Sequence, residues 1–222
     1  MAQDQWTAVD NYINDRLLPP DPVMDSVLQA SQAAGLEPIN VAPNQGKFLH
    51  LLARIQGARN ILEIGTLGGY STIWLARALP PGGRLVTLEL NPKNAEVALA
   101  NIAHAGFAHC VELKLGPAAE SLAQLSAEGR GPFDLIFIDA DKQSYPVYLS
   151  WALKLSRVGS QIIVDNVVRR GEVVNVSSTD PRIPGTRGVY DFFAKEPRIS
   201  ATAIQTVGIK GYDGFAIGLV IA

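Results

Sequence analysis

The sequence predicts an α/β fold built on a mostly parallel sheet, and three features carry that expectation. Between residues 60 and 125, short apolar runs alternate with amphipathic segments, the pattern of strands joined by crossover helices. One such unit, Leu62-Glu63-Ile64-Gly65-Thr66-Leu67-Gly68-Gly69-Tyr70-Ser71, runs from a buried strand through a glycine turn into a helix. Two later apolar runs end in Asp139 and in Asp165-Asn166, so polar groups gather where parallel strands present their carboxyl ends. A chain of 222 residues with 47% hydrophobic content can bury one substantial core.

The first helix is expected over residues 6–18, where Pro19-Pro20-Asp21-Pro22 breaks it. A second takes Pro22 in its first turn, runs to Ala34 and stops at Gly35. A third follows Pro43 and carries Phe48, Leu51, Leu52 and Ile55 on its apolar face. Strand and helix then alternate over 61–64, 70–78, 84–88, 91–105, 110–115 and 117–125. The run at 61–64 suits a strand buried on both faces. Asn91-Pro92 is a cap and first-turn pair, which leaves Glu89 in the turn at the end of its strand. Strands at 135–138 and 162–164 follow, and 199–206 with 214–221 close the chain as a strand pair. Cys110, the single cysteine, reads as a packed strand residue and permits no intrachain disulfide.

The glycines let backbone amides approach a ligand at the N-terminus of the following helix. Glu89, about 20 residues beyond the turn, can accept hydrogen bonds from both hydroxyls of a ribose. A dinucleotide fingerprint would read G-x-G-x-x-G, whereas Gly65-Thr66-Leu67-Gly68-Gly69 has no glycine at position 67. Pyrophosphate is therefore the weaker candidate, and an NAD(P)-dependent oxidoreductase is the second enzyme reading. A net charge of −2 leaves no basic footprint, so a small soluble substrate is expected rather than nucleic acid. The N-terminal residues lack an apolar leader and no run approaches a membrane-spanning length, making the cytoplasm the expected location and a membrane partner unexpected. His50, His104 and His109 have no metal or triad spacing, and Trp6, Trp74 and Trp151 are scattered as packing residues are.

The string Glu63-Ile64-Gly65-Thr66 through Gly69-Tyr70-Ser71 closely resembles motif I of class I S-adenosylmethionine-dependent methyltransferases. More narrowly, it resembles the small cation-dependent O-methyltransferases related to catechol and caffeoyl-CoA O-methyltransferase, and the likeness extends from about residue 37 onward. The resemblance implies a Rossmann-like seven-stranded sheet with helices on both faces, its last strand antiparallel, and extra N-terminal helices. It implies a single domain over 1–222, with N-terminal helices and a lid over 1–58 and a cofactor-binding core over 59–222. S-adenosylmethionine would then meet Val41 in the lid stretch 39–46, Glu63, Gly65 and Thr66 along its methionine and ribose, and Ser71 at its carboxylate. Glu89 would take the ribose, Ala118 the adenine, and Asp139 would lie near the methionine end.

Asp139, Asp165 and Asn166 together offer two carboxylates and an amide oxygen, a donor set for a hard divalent cation with positions left for water and substrate. The resemblance places metal ligands at the same three positions, with magnesium the first expectation and manganese or calcium next. Lys142, three residues beyond Asp139, is the candidate general base, because a bound cation and partial burial both favour a neutral amine. Its ordinary alternative is a surface lysine paired to Asp141. The implied reaction moves a methyl group from S-adenosylmethionine to a hydroxyl of a catechol-like phenol; a non-catalytic S-adenosylmethionine-binding protein is the remaining alternative. The loop Val167-Val168-Arg169-Arg170-Gly171 departs from the plant caffeoyl-CoA pattern, which has an aromatic residue near Arg169. A cationic entrance there suits an acidic phenol. Arg187 resembles the arginine that opens the helix after the variable loop, with substrate contact or dimer packing as its role, and a homodimer is expected from the same resemblance.

Overall fold

Strand burial organises the structure, a computed structural model that describes residues 2–222. Strands β1 (Asn60–Ile64), β2 (Arg84–Glu89), β3 (Val111–Leu115), β4 (Leu135–Ile138), β5 (Gln161–Asp165), β6 (Ile199–Gly208) and β7 (Gly211–Val220) form one seven-stranded sheet in the order β3-β2-β1-β4-β5-β7-β6. The first five are parallel, and β7 runs antiparallel to both β5 and β6. The helices are α1 (Ala2–Leu17), α2 (Pro22–Ala33), α3 (Pro43–Gln56), α4 (Tyr70–Ala76), α5 (Pro92–His104), α6 (Ala118–Ala127), α7 (Tyr145–Lys154) and α8 (Ile183–Lys195).

Alternate strand residues build a core on each face of the sheet. Ile61, Leu85, Leu135 and Phe137 join α2 to α5 on one face, while Leu62, Ile64, Ile136 and Ile138 join α6, α7 and α8 on the other. This two-sided burial explains why the central strands read as continuous apolar runs. Asn91 caps α5 as expected, accepting from Lys93 N at 2.9 Å, and the structure adds a cap at Asp21, which accepts from Met24 N at 3.2 Å. Gly35 follows α2 with a left-handed φ of 70°.

Three local expectations change. Helix α1 begins at Ala2, several residues earlier than its apolar pattern suggested. On α3 the buried residues are Gly46, Leu49 and Ala53, whereas Phe48, Leu51 and Ile55 are exposed. Small residues win the inner face because α3 lies almost against α4: a Cβ at Gly46 would stand 2.3 Å from the Trp74 ring. Cys110 occupies the turn before β3 and is only partly buried. Among the described residues, no helix is long and apolar enough to cross a membrane.

Candidate active site

Strand register assembles the site. Ile64 pairs with Leu88 and Ile138, and Ile138 pairs with Val164. One residue further on, Glu89, Gly65, Asp139 and Asp165 therefore stand in a row along the carboxyl edge of β2, β1, β4 and β5. At about 4.8 Å per strand the row spans about 14 Å. Strand order reverses between β1 and β4, the point at which open α/β sheets leave a crevice. Gly65, at φ 98°, is required there because a Cβ would fall 2.1 Å from the Asp139 carbonyl oxygen.

At the β2 end, Glu89 braces the glycine turn. Its Oε2 accepts from Thr66 N at 3.2 Å and Leu67 N at 2.8 Å, and its Oε1 accepts from Asn91 N at 2.9 Å. Ala118 opens α6 nearby, and Gly116 N donates to the Glu89 carbonyl at 2.8 Å. Glu63 lies fully buried under the same turn. Ser71 donates to its Oε1 at 2.6 Å, Thr87 to its Oε2 at 2.7 Å, and the Thr72 hydroxyl also donates to Oε2. Burial pushes the Glu63 carboxyl up to about 7, the charge of Asp139 adds to the rise, and the three hydroxyls oppose it. Val41 is buried just ahead of α3.

At the β5 end, Asp165 is 5% exposed. Its Oδ2 accepts from Gln45 Nε2 at 2.7 Å and its Oδ1 from Asn166 N at 2.8 Å. Burial, then the neighbouring Asp139 charge, raises its carboxyl to about 7. Lys142 Nζ donates to Asp139 Oδ1 at 2.8 Å and lies 5.1 Å from the centre of the Tyr145 ring. The lysine thus pairs with Asp139, not Asp141, whose carboxylate instead accepts from the Tyr148 hydroxyl. Among the described residues no three His, Cys, Asp or Glu side chains form a metal cluster, so a cation site here rests on two carboxylates completed by Asn166. That set fits: two acids on adjacent strands repel one another, and a hard cation relieves the repulsion with oxygen donors of the right kind.

The loop after β5 is tightly held. Asn166, Arg169 and Arg170 have φ of 55°, 54° and 55°, and Asp213 Oδ1 accepts from Val168 N at 3.0 Å and Arg169 N at 2.9 Å. The expected open cationic entrance is modified by this packing. Arg169 has only 19% of its side chain exposed and pairs with Asp213 at 3.7 Å, while its buried Nε has no partner. Arg187 stands inside α8, and its guanidinium donates to the carbonyls of Val173 at 2.9 Å and Asn175 at 2.6 Å, bracing the loop from behind.

The sequence reading missed Gln45, Thr72, Thr87 and Asp213. Thr87 shares the pleat of Glu63 through register and Thr72 follows Ser71, so both had a local signal. The contacts of Gln45 and Asp213 are long-range and had none.

The O-methyltransferase family model matches residues 20–215. A catechol O-methyltransferase of Niastella koreensis is 50% identical over 220 residues, covering 99% of this chain and 100% of that protein. The O-methyltransferase from Bacillus cereus, solved in complex with SAH, is 58% identical with a TM-score of 0.97, covering 98% of this chain and 99% of that one. The O-methyltransferase TomG from Streptomyces achromogenes, involved in tomaymycin synthesis and solved with SAM, is 48% identical with a TM-score of 0.96 over 100% of both chains. These matches displace the nicotinamide oxidoreductase reading: the chain belongs to the O-methyltransferase family.

Proposed function

We propose that this O-methyltransferase carries a methyl group from S-adenosylmethionine to one hydroxyl of a vicinal dihydroxy aromatic, assisted by a divalent cation at Asp139, Asp165 and Asn166. The carrying observation is the row of acids. Glu89 lies at one end for a ribose, the Asp139 and Asp165 pair lies at the other, and about 14 Å between them suits a nucleoside with an amino-acid tail. Relatives named catechol O-methyltransferase support the acceptor class.

A cation held there, magnesium first and manganese or calcium next, would make a chelated phenol more acidic. The chain's own residues do the rest. Glu89 and the turn amides of Thr66 and Leu67 fix the nucleoside end, with Val41 closing above and Ala118 beside the base. Gly65 keeps the crevice open, and Glu63 with Ser71 forms the polar floor under the methionine portion. Lys142 would take the phenol proton at Nζ once it has released its own proton to solvent, which giving up Asp139 Oδ1 to a neighbouring cation would favour. Arg169, with its partnerless buried Nε, favours an acceptor that bears a carboxylate, while Arg187 holds the wall of the pocket. Most of the acceleration comes from placing the phenolate in line with the methyl group.

Partners are small molecules and a second copy of the chain, for which exposed Phe48, Leu51 and Ile55 on α3 offer an apolar face. The deciding assay offers S-adenosylmethionine with catechol, caffeate and caffeoyl-CoA, with magnesium and with chelator. Magnesium-dependent methylation that Asp139→Ala or Asp165→Ala abolishes is the expected result. Turnover that survives chelation would remove the metal from the mechanism, and cofactor binding without any turnover would favour the non-catalytic alternative.

A further inference from the structure

Gln45 belongs to the N-terminal part of the chain, on the first turn of α3, yet its amide reaches a carboxylate 120 residues away, donating from Nε2 to Asp165 Oδ2 at 2.7 Å. Its neighbour Asn44 reaches a different element: Nδ2 donates to Asp10 Oδ1 at 2.8 Å, and Asp10 Oδ2 accepts from Ile209 N at 2.7 Å. Asp10 is 5% exposed, so this second anchor is sheltered from competing water. Two consecutive side chains of one helical turn thus tie α1 and the β6–β7 hairpin to the carboxyl end of β5. The helix carrying them is firmly seated, because Gly46 lets it touch the Trp74 ring and Leu49 and Ala53 are buried beneath it.

A carboxylate that must bind a cation gains from a fixed donor on one oxygen, since the donor sets the orientation of the group before the ion arrives. On Asp165 the Asn166 backbone N–H holds Oδ1 at 2.8 Å, and Gln45 adds the second point, on Oδ2, that fixes the twist of the carboxylate. We propose that Gln45 is a positioning residue for the cation site, and that docking of the 39–46 stretch and cation binding reinforce each other through its bond to Asp165. The inference rests on the assignment of Asp139, Asp165 and Asn166 as cation ligands. Its coupling is reciprocal: whatever seats Gln45 tightens the cation, and the cation tightens the seat of Gln45.

The test uses manganese as the probe, titrated into the whole protein and followed by the paramagnetic resonance of free Mn²⁺. Gln45→Met keeps the length of the side chain and removes the donor, and Gln45 is only partly buried, so the variant retains its fold. Roughly tenfold weaker Mn²⁺ binding is expected. Hydrogen exchange gives a second readout: Mn²⁺ should slow exchange of amides 39–46 in the wild type and leave them unchanged in Gln45→Met. Equal Mn²⁺ affinity in the two proteins, or equal slowing of 39–46, overturns the proposal while leaving the cation site standing. A wild type that binds no Mn²⁺ overturns the cation site itself.

Discussion

Glu63 should impose a pH dependence on stability that a neutral amide in its place would not, and Glu63→Gln isolates it. The wild-type carboxyl is fully buried and raised from its ordinary 4.5 to about 7. A carboxyl held above its unfolded value contributes its full stability below pH 4.5 and loses that contribution as pH rises through about 7. The difference between the two ends is about 3 kcal/mol. The amide imitates the protonated acid: it is neutral, it keeps an acceptor for the Ser71, Thr72 and Thr87 hydroxyls, and it does not titrate. Urea unfolding of both proteins from acid to about pH 8.5 is the measurement. Asp165 contributes a slope of the same sign, but it is present in both and cancels in the comparison. The two stability curves should converge in acid and separate with rising pH until the variant is about 3 kcal/mol the more stable. Parallel curves across this range would refute the placement of an ionisable group in a dry pocket under the glycine turn.

Other outcomes follow from the same geometry. Lys142→Met should lower kcat on the order of 10²-fold to 10⁴-fold while calorimetry shows cofactor binding unchanged; a variant with wild-type kcat would free Lys142 from proton transfer. Gly65→Ala drives a Cβ against the Asp139 carbonyl at a left-handed φ and should cost about 3 kcal/mol, read as a melting temperature lower by roughly 6–12 °C. The proposed pairing of two copies through α3 predicts that Ile55→Glu, at a site 79% exposed, keeps the wild-type circular dichroism but sediments as a monomer where the wild type sediments as a dimer, with a melting temperature lowered by the lost association; a wild type that sediments as a monomer would overturn the pairing. An unchanged sedimentation coefficient would move the pairing surface elsewhere.

The frame of the molecule could be read in the sequence because its central strands are buried on both faces and announce themselves as apolar runs. Motif spacing then gave the row of candidate residues: Gly65, Glu89, Asp139 and Asp165 end neighbouring strands, so placing the strands placed them side by side. Periodicity failed on α3, where the larger apolar side chains were assigned inward. Close approach to Trp74 admits glycine and alanine more readily than leucine, and a count of apolar residues does not register that. The partners of the functional groups were least visible. Lys142 had two acids within reach along the chain, and only the fold shows that it chooses Asp139; Arg169 looked exposed until Asp213, 44 residues later, was found beside it.

The clasp at Asp10 also sets an order of events during synthesis. Domains emerge and begin to fold from the N-terminus, yet the bond from Ile209 to Asp10 spans 199 residues and that from Gln3 to the Gly208 carbonyl spans 205. Helix α1 is therefore made about 200 residues before the hairpin it packs against, and waits for that hairpin to find its place. Until the β6–β7 hairpin has been made, Asn44 lacks a fixed Asp10 to hold, and the segment above the crevice has only one of its two anchors. A nascent chain can thus close its central strands early and still remain catalytically unfinished until the β6–β7 hairpin arrives.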